Sequence, residues 1–235
     1  MKFYLILWFF IMGAISTHAQ NTEFFSAADA FFNKHVSNGR VDYTAIKEQP
    51  EALNTLLNLA QNASVGLQNS NEYQAFWINT YNLLVIKGIV ENYPINSPLE
   101  VDGFFDTLRY QVGGKSITLN EIENELLRAN FPNETRFHFA LVCAGLGCPP
   151  IINEAYTPKK VSSQLQQQTT KALNDPMFIR VDDHNVQVSQ LFEWYKEDFE
   201  RAGGIIPFLN TYRDAKLPAD INLGYYEYNW NLNKK

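Results

Sequence analysis

Glu72-Tyr73-Gln74-Ala75-Phe76-Trp77-Ile78-Asn79-Thr80-Tyr81-Asn82-Leu83-Leu84-Val85-Ile86-Lys87-Gly88-Ile89-Val90 is the stretch that decides the fold. Read as a helix, it carries apolar side chains nearly all the way round rather than along one stripe. Such a helix has no face suited to water, so the remaining elements must enclose it. Asn92-Tyr93-Pro94 and Ser97-Pro98 end it, because proline lacks the amide hydrogen that a continuing helix needs.

Outward from this core helix, the pattern predicts shorter elements. Ser26 reads as the N-cap of an amphipathic helix through Ala27–Phe32, and Gly39–Tyr43 as a turn with a short extended piece. Leu53, Leu56, Leu57 and Ala60 recur at helical spacing. Asp106–Gly114 and Lys115–Thr118 predict a hairpin about Gly113-Gly114, after which Asn120 caps a helix bearing Ile122, Leu126 and Leu127. Arg136–Val142 reads as a short apolar strand, followed by a loop, Cys143–Pro150, and a polar helix over about Pro158–Asn174. Met177–Val181 and Asn185–Val188 predict a second hairpin, and Ser189 caps a helix containing Leu191, Phe192, Trp194 and Tyr195. Tyr225, Tyr226, Tyr228 and Trp230 read as core. Helices mixed with hairpins, without βαβ alternation, give an α+β fold: one domain over residues 20–235, mostly helical with short antiparallel hairpins.

The N-terminus has the pattern of a secretory leader. Lys2 supplies a charge, Phe3–Ile15 an apolar run, and Ser16-Thr17-His18-Ala19 the small residues of a cleavage site. The apolar run is shorter than the roughly 20 residues of a spanning helix. The expectation is a signal peptide over residues 1–19, a periplasmic or secreted product, and no membrane span after its removal. The chain has 19 basic and 25 acidic side chains, a net charge of −6, and no basic stripe, which argues against a nucleic-acid partner.

Two places break the rules of an ordinary core. Asn79 and Asn82 are three residues apart and so share one face of the buried helix. An unpaired interior amide costs about 1–3 kcal/mol, so each needs a partner: loop backbone, or a ligand and a catalytic group in a site. The second place is Phe137–Pro150, where His138 opens the apolar strand and a glycine-containing loop presents Cys143 and Cys148. On a regular strand Cys143 points away from His138, whereas Cys148, beyond Gly145 and Gly147, can fold back. The two cysteines of an exported chain can form a disulfide, stay as inert thiols, or supply a thiolate beside the imidazole. A zinc site needs three or four ligands, more than this segment gathers, and no cofactor is implied.

Taken in order, Ala75–Asn82, Leu119–Arg128 with Ile122-Glu123, His138–Cys143 with Cys148-Pro149-Pro150, and Leu191–Phe199 resemble family 547 of the domains of unknown function. Val41-Asp42-Tyr43 and Tyr228–Leu232 resemble its ends, so the likeness runs through nearly all of the mature chain. The resemblance implies a fold related to papain-like thiol hydrolases. It further implies a triad of Glu123, His138 and Cys148 or Cys143 acting on a peptide or other small amide; beside it, the buried-amide reading has Asn79 or Asn82 adding a substrate-binding hydrogen bond to the site. The reading from another class is a non-catalytic exported binding domain, stapled by a Cys143–Cys148 disulfide. Exported material should begin at Gln20 by N-terminal mass analysis, and an intact Phe3–Ile15 segment would overturn the leader.

Overall fold

A computed structural model describes residues 21–235. The expected leader and its cleavage point lie outside them. The first helix, α1, runs through 21–35 and therefore carries Ser26 in its interior, not at its cap. Phe24 and Phe25, upstream of Ser26, are buried, and the Phe24 ring sits 5.0 Å from Phe76; this burial holds the earlier turn in the helix. Strands β1 (Val36–Ser37) and β2 (Arg40–Val41) form a two-residue-turn hairpin whose tip, Asn38 and Gly39, has positive φ. Helix α2 (Tyr43–Glu48) is capped by the Asp42 side chain, and α3 (Glu51–Asn62) follows.

Helix α4, Ser70–Asn92, is the predicted core helix, and every residue from Tyr73 to Ile86 is buried. The Asn69 side chain caps it. Strands β3 (Tyr110–Val112) and β4 (Lys115–Ile117) pair antiparallel about Gly113 and Gly114, both at positive φ. The next helix begins at α5 (Leu119–Glu121), capped by Thr118 rather than Asn120. Thr118 and Glu121 bond reciprocally to each other's backbone N–H, a capping box that satisfies two otherwise orphaned donors. From α5 the chain passes directly into a π-helical stretch, Ile122–Arg128.

The expected strand Arg136–Val142 is absent. Thr135–Phe139 is a 3₁₀ turn, with Ala140 and Leu141 N–H both returning to the Phe137 carbonyl. Every residue from Phe137 to Val142 is buried, so the run lacks the alternation that marks a strand, and periodicity alone cannot separate it from a buried helical turn.

Beyond the cysteine loop come α6 (Val161–Asn174), β5 (Arg180–Val181) and β6 (Asn185–Ser189), then α7 (Leu191–Trp194), α8 (Lys196–Arg201) and α9 (Ile205–Tyr212). Strands β5 and β6 form the predicted hairpin, with Arg180 opposite Gln187. A third strand, β7 (Asn222–Tyr226), lies parallel to β6, which the intervening helices allow as a crossover. The architecture is therefore α+β, with helices and short strand pairs in one compact unit. Among the described residues no helix is long and apolar enough to cross a membrane.

Two cores meet at the 3₁₀ turn. Phe137 and Ala140 belong to the large core around α4, while Phe139 belongs to a second core built on Phe192, Phe199, Phe208 and Leu209. His138 stands between them. The buried amides fix this geometry. Asn82 Nδ2 donates to the Ala140 carbonyl at 2.9 Å, and its Oδ1 accepts from Val142 N–H at 2.9 Å. Asn79 treats Tyr156 in the same way, at 2.7 and 2.9 Å. Asn82→Leu should therefore cost about 1–3 kcal/mol for each backbone group left unpaired, read as a lower denaturation midpoint with unchanged slope.

Candidate functional site

The helical turn at Phe137–Phe139, the π stretch and the end of α7 converge on a cavity of about 300 Å³. Glu123, His138, Cys143 and Cys148 all line it, although they come from three separate segments: the π stretch, the 3₁₀ turn and the cysteine loop. Tyr81 of α4, Trp194 and Tyr195 at the end of α7, and Tyr228 and Trp230 of the C-terminal segment supply its aromatic walls. The helical geometry removes the strand argument that turned Cys143 away from His138. Asn79 and Asn82 are not among the lining residues; both are occupied by backbone.

The π-helical stretch matters here because it widens the turn that carries Glu123. A π turn re-aims side chains relative to an α-helix, and such turns are frequent at functional sites. Glu123 is 9% exposed. Its charge adds to burial in raising the pKa values of Tyr81, Tyr195 and Tyr228 above the ordinary tyrosine value, so these hydroxyls remain protonated donors through neutral pH.

His138 has a different carboxylate as its direct partner. Its Nε2 lies 2.8 Å from Asp198 Oδ2, and Arg128 Nε donates to the same oxygen at 2.8 Å. Arg201 pairs with the other oxygen of Asp198. Burial opposes ionisation of Asp198, but the hydrogen bonds and charges of His138 and Arg128 overcome it and hold the carboxyl well below the usual range. An ionised Asp198 accepts, so Nε2 carries the proton and Nδ1 is left as the basic nitrogen. The Tyr195 ring packs 4.0 Å from the imidazole, and the Arg128 guanidinium lies 4.9 Å over that same ring. Imidazole, phenol, guanidinium and carboxylate thus restrain one another.

Cys143 and Cys148 are joined as a disulfide, with their Cα atoms 6.5 Å apart. Cys143 N–H donates to Cys148 Sγ at 3.0 Å, and the Tyr228 hydroxyl reaches both sulfurs at 2.8 Å. The Cys143–Pro150 loop is held by the C-terminal segment: Leu146 N–H donates to Asn231, Gly147 N–H to Asn229, and Asn233 N–H to Ala144. Gly147 is required by this approach, since a Cβ there would meet Asn229 N and the Tyr228 ring at 2.9 Å.

Asp198 and Tyr228 are the candidate site residues that sequence reasoning missed. Asp198 falls three residues after Tyr195, at the edge of the apolar stripe Phe192, Tyr195, Phe199, and that boundary position is the signal that could have found it. Tyr228 does pack in the core, but its hydroxyl ends on the sulfurs.

Residues 66–172 match the model of a family described as "Protein of unknown function, DUF547". The likeness is thus shown over Ala75–Asn82, Glu123, His138 and both cysteines; Asp198 and Tyr228 lie beyond the matched residues. No curated protein and no solved structure matches the chain.

Asp198→Asn should be costly, because it leaves Arg128 without its ionic partner in a half-buried setting, with only Asn124 and the Tyr195 ring to hold it, about 3–5 kcal/mol for a broken buried pair. The pH dependence has a definite sign. A carboxyl whose pKa is lower folded than unfolded stabilises above its unfolded value near 4, and that contribution disappears as pH falls toward the folded value. Urea denaturation from pH 7 downward should show the wild type losing stability below about pH 4 more steeply than Asp198→Asn.

Proposed function

We propose that the cavity is the active site of an exported thiol-dependent hydrolase or acyl-transferase acting on a peptide or other small amide. One observation carries this reading: an imidazole oriented by a buried carboxylate lines the same cavity as two cysteine sulfurs. Base, orienting group and nucleophile are the three parts that thiol catalysis requires. In this scheme Asp198 orients His138, and Glu123, expected from the resemblance as the orienting group, faces the substrate instead.

Catalysis needs the disulfide opened by a dithiol reductant, which is itself oxidised to a disulfide. Cys148 is the better nucleophile of the pair, because its sulfur accepts from both the Cys143 N–H and the Tyr228 hydroxyl, and such bonds favour a thiolate. His138 Nδ1 takes the Cys148 proton. The thiolate adds to the amide carbonyl, the C–N bond breaks to leave a thioester, and the proton passes from His138 to the departing amine. Water, deprotonated by the same imidazole, then releases the acid; an amine acceptor in its place gives acyl transfer. The relation to papain-like hydrolases rests on the family likeness.

A second reading is supported by the disulfide itself: an exported binding domain in which Cys143–Cys148 staples the loop beside an aromatic cavity. Labelling of the reduced protein with an electrophile separates the two. The hydrolase reading expects Cys148 to react at pH 6 well above the rate of an ordinary thiol of pKa about 8.5, with that excess lost in His138→Ala and in Cys148→Ala but kept in Cys143→Ala. Reaction at the rate of an unperturbed thiol overturns it and leaves the binding domain.

A further inference from the structure

The cavity's walls have a chemistry that neither thiols nor disulfide account for. Glu123 is nine-tenths buried and lines the cavity, yet among the described residues no ion pair reaches it. Buried carboxylates are ordinarily paired with a cation, since an uncompensated charge out of water is costly. The neighbouring cations are committed elsewhere. Arg128 and Arg201 bind Asp198, which also holds His138, and no lysine or arginine lines the cavity.

Around this carboxylate stand aromatic rings. Trp194, Tyr228 and Trp230 form a contiguous cluster, with ring centroids 5.0 Å apart for Trp194–Tyr228, 4.7 Å for Tyr228–Trp230 and 5.9 Å for Trp194–Trp230. Trp194 is about half exposed, so its indole offers a face at the cavity edge. Tyr81 and Tyr195 complete the walls. An aromatic ring attracts a cation through the negative face of its π system, and the attraction grows when both are desolvated. Glu123 keeps the Tyr195 hydroxyl as a neutral hydrogen-bond partner, and a carboxylate that lacks an ionic partner in a cavity walled by such rings is the complement of an organic cation.

We infer that the cavity recognises an organic ammonium group, either the amine of a peptide or a quaternary ammonium, with Glu123 as its counter-ion and Trp194, Tyr228 and Trp230 as its cage. This rests on the cavity being the working site, but it requires no thiol chemistry and holds with the disulfide closed. For an amide substrate it places a positive charge beside the reacting carbonyl. For a binding domain it defines the ligand.

The test uses the oxidised protein and tryptophan fluorescence, since Trp194 and Trp230 report directly on occupancy. Choline is compared with its uncharged isostere 3,3-dimethyl-1-butanol, and n-butylammonium with n-butanol. Saturable quenching by at least one cation, at about tenfold or more higher affinity than its isostere, is expected. Preference for choline identifies a quaternary ligand, and preference for n-butylammonium a primary amine. Glu123→Gln, checked for an unchanged melting temperature, should erase the discrimination. Equal binding of cation and isostere, no saturable binding of either cation, or a folded Glu123→Gln variant that discriminates as the wild type does overturns the inference. Because no free thiol takes part, these outcomes are independent of the labelling result for Cys148.

Discussion

The structure depends on one requirement, that a helix without a wet face must satisfy the amides it carries. Asn79 and Asn82 sit where no water reaches, so each must find both a donor and an acceptor, and each does so on the backbone of a crossing segment. Asn82 thereby binds the chain on either side of Leu141, between His138 and Cys143. Asn79 binds Tyr156, where the chain leaves the cysteine loop. Two side chains on one helix face set the entry and exit of the segment that bears the candidate chemistry, and they do so without facing the cavity.

The site's position follows from where the two cores join. A 3₁₀ turn places Phe137 in one core and Phe139 in the other, so the residue between them is fixed from both sides. That residue is His138; its partner Asp198 and the Arg128 that shares the same carboxylate oxygen come one from each side of the junction. Ordinary cores tolerate no such cluster, since a buried carboxylate needs compensation. Here His138, Arg128 and Arg201 supply it, and Glu123 is left facing the cavity without an ionic partner of its own.

Much of this was legible in the sequence. All-round apolarity announced α4, glycine pairs announced the β3–β4 hairpin, and the rarity of asparagine inside such a helix flagged Asn79 and Asn82. His138, Cys143 and Cys148 were visible as residue types out of place and Glu123 through the family resemblance, and all four line one cavity. What failed has physical causes. The run Phe137–Val142 is apolar because it is buried on all sides, which removes the two-residue period that distinguishes a strand. Ser26 and Asn120 are good caps that lost to burial of Phe24 and to the Thr118–Glu121 box. Asp198 carries only the weak local mark of its place at a stripe edge, because its role comes from contacts 60 and 70 residues away in the chain, at His138 and Arg128. Strand β7 was missed for a similar reason: its partner β6 is reached only through three intervening helices.

The passage of segment 228–235 between the cysteine loop and β2 couples two distant parts of the chain into a single latch. Leu146 and Gly147 donate to this segment, Val41 donates to Asn233, and Lys235 donates back to Val41, while the Tyr43 hydroxyl donates to Asn233 Oδ1 at 2.7 Å. Lifting this segment would strip Tyr228 from the sulfurs and open one side of the cavity while leaving α4 and the second core packed. Such partial openings occur at lower free energy than global unfolding. The amides of Val41, Leu146, Gly147 and Asn233 therefore belong to one cooperative unit, and their solvent exchange would rise and fall together, decoupled from the slow exchange of the α4 interior.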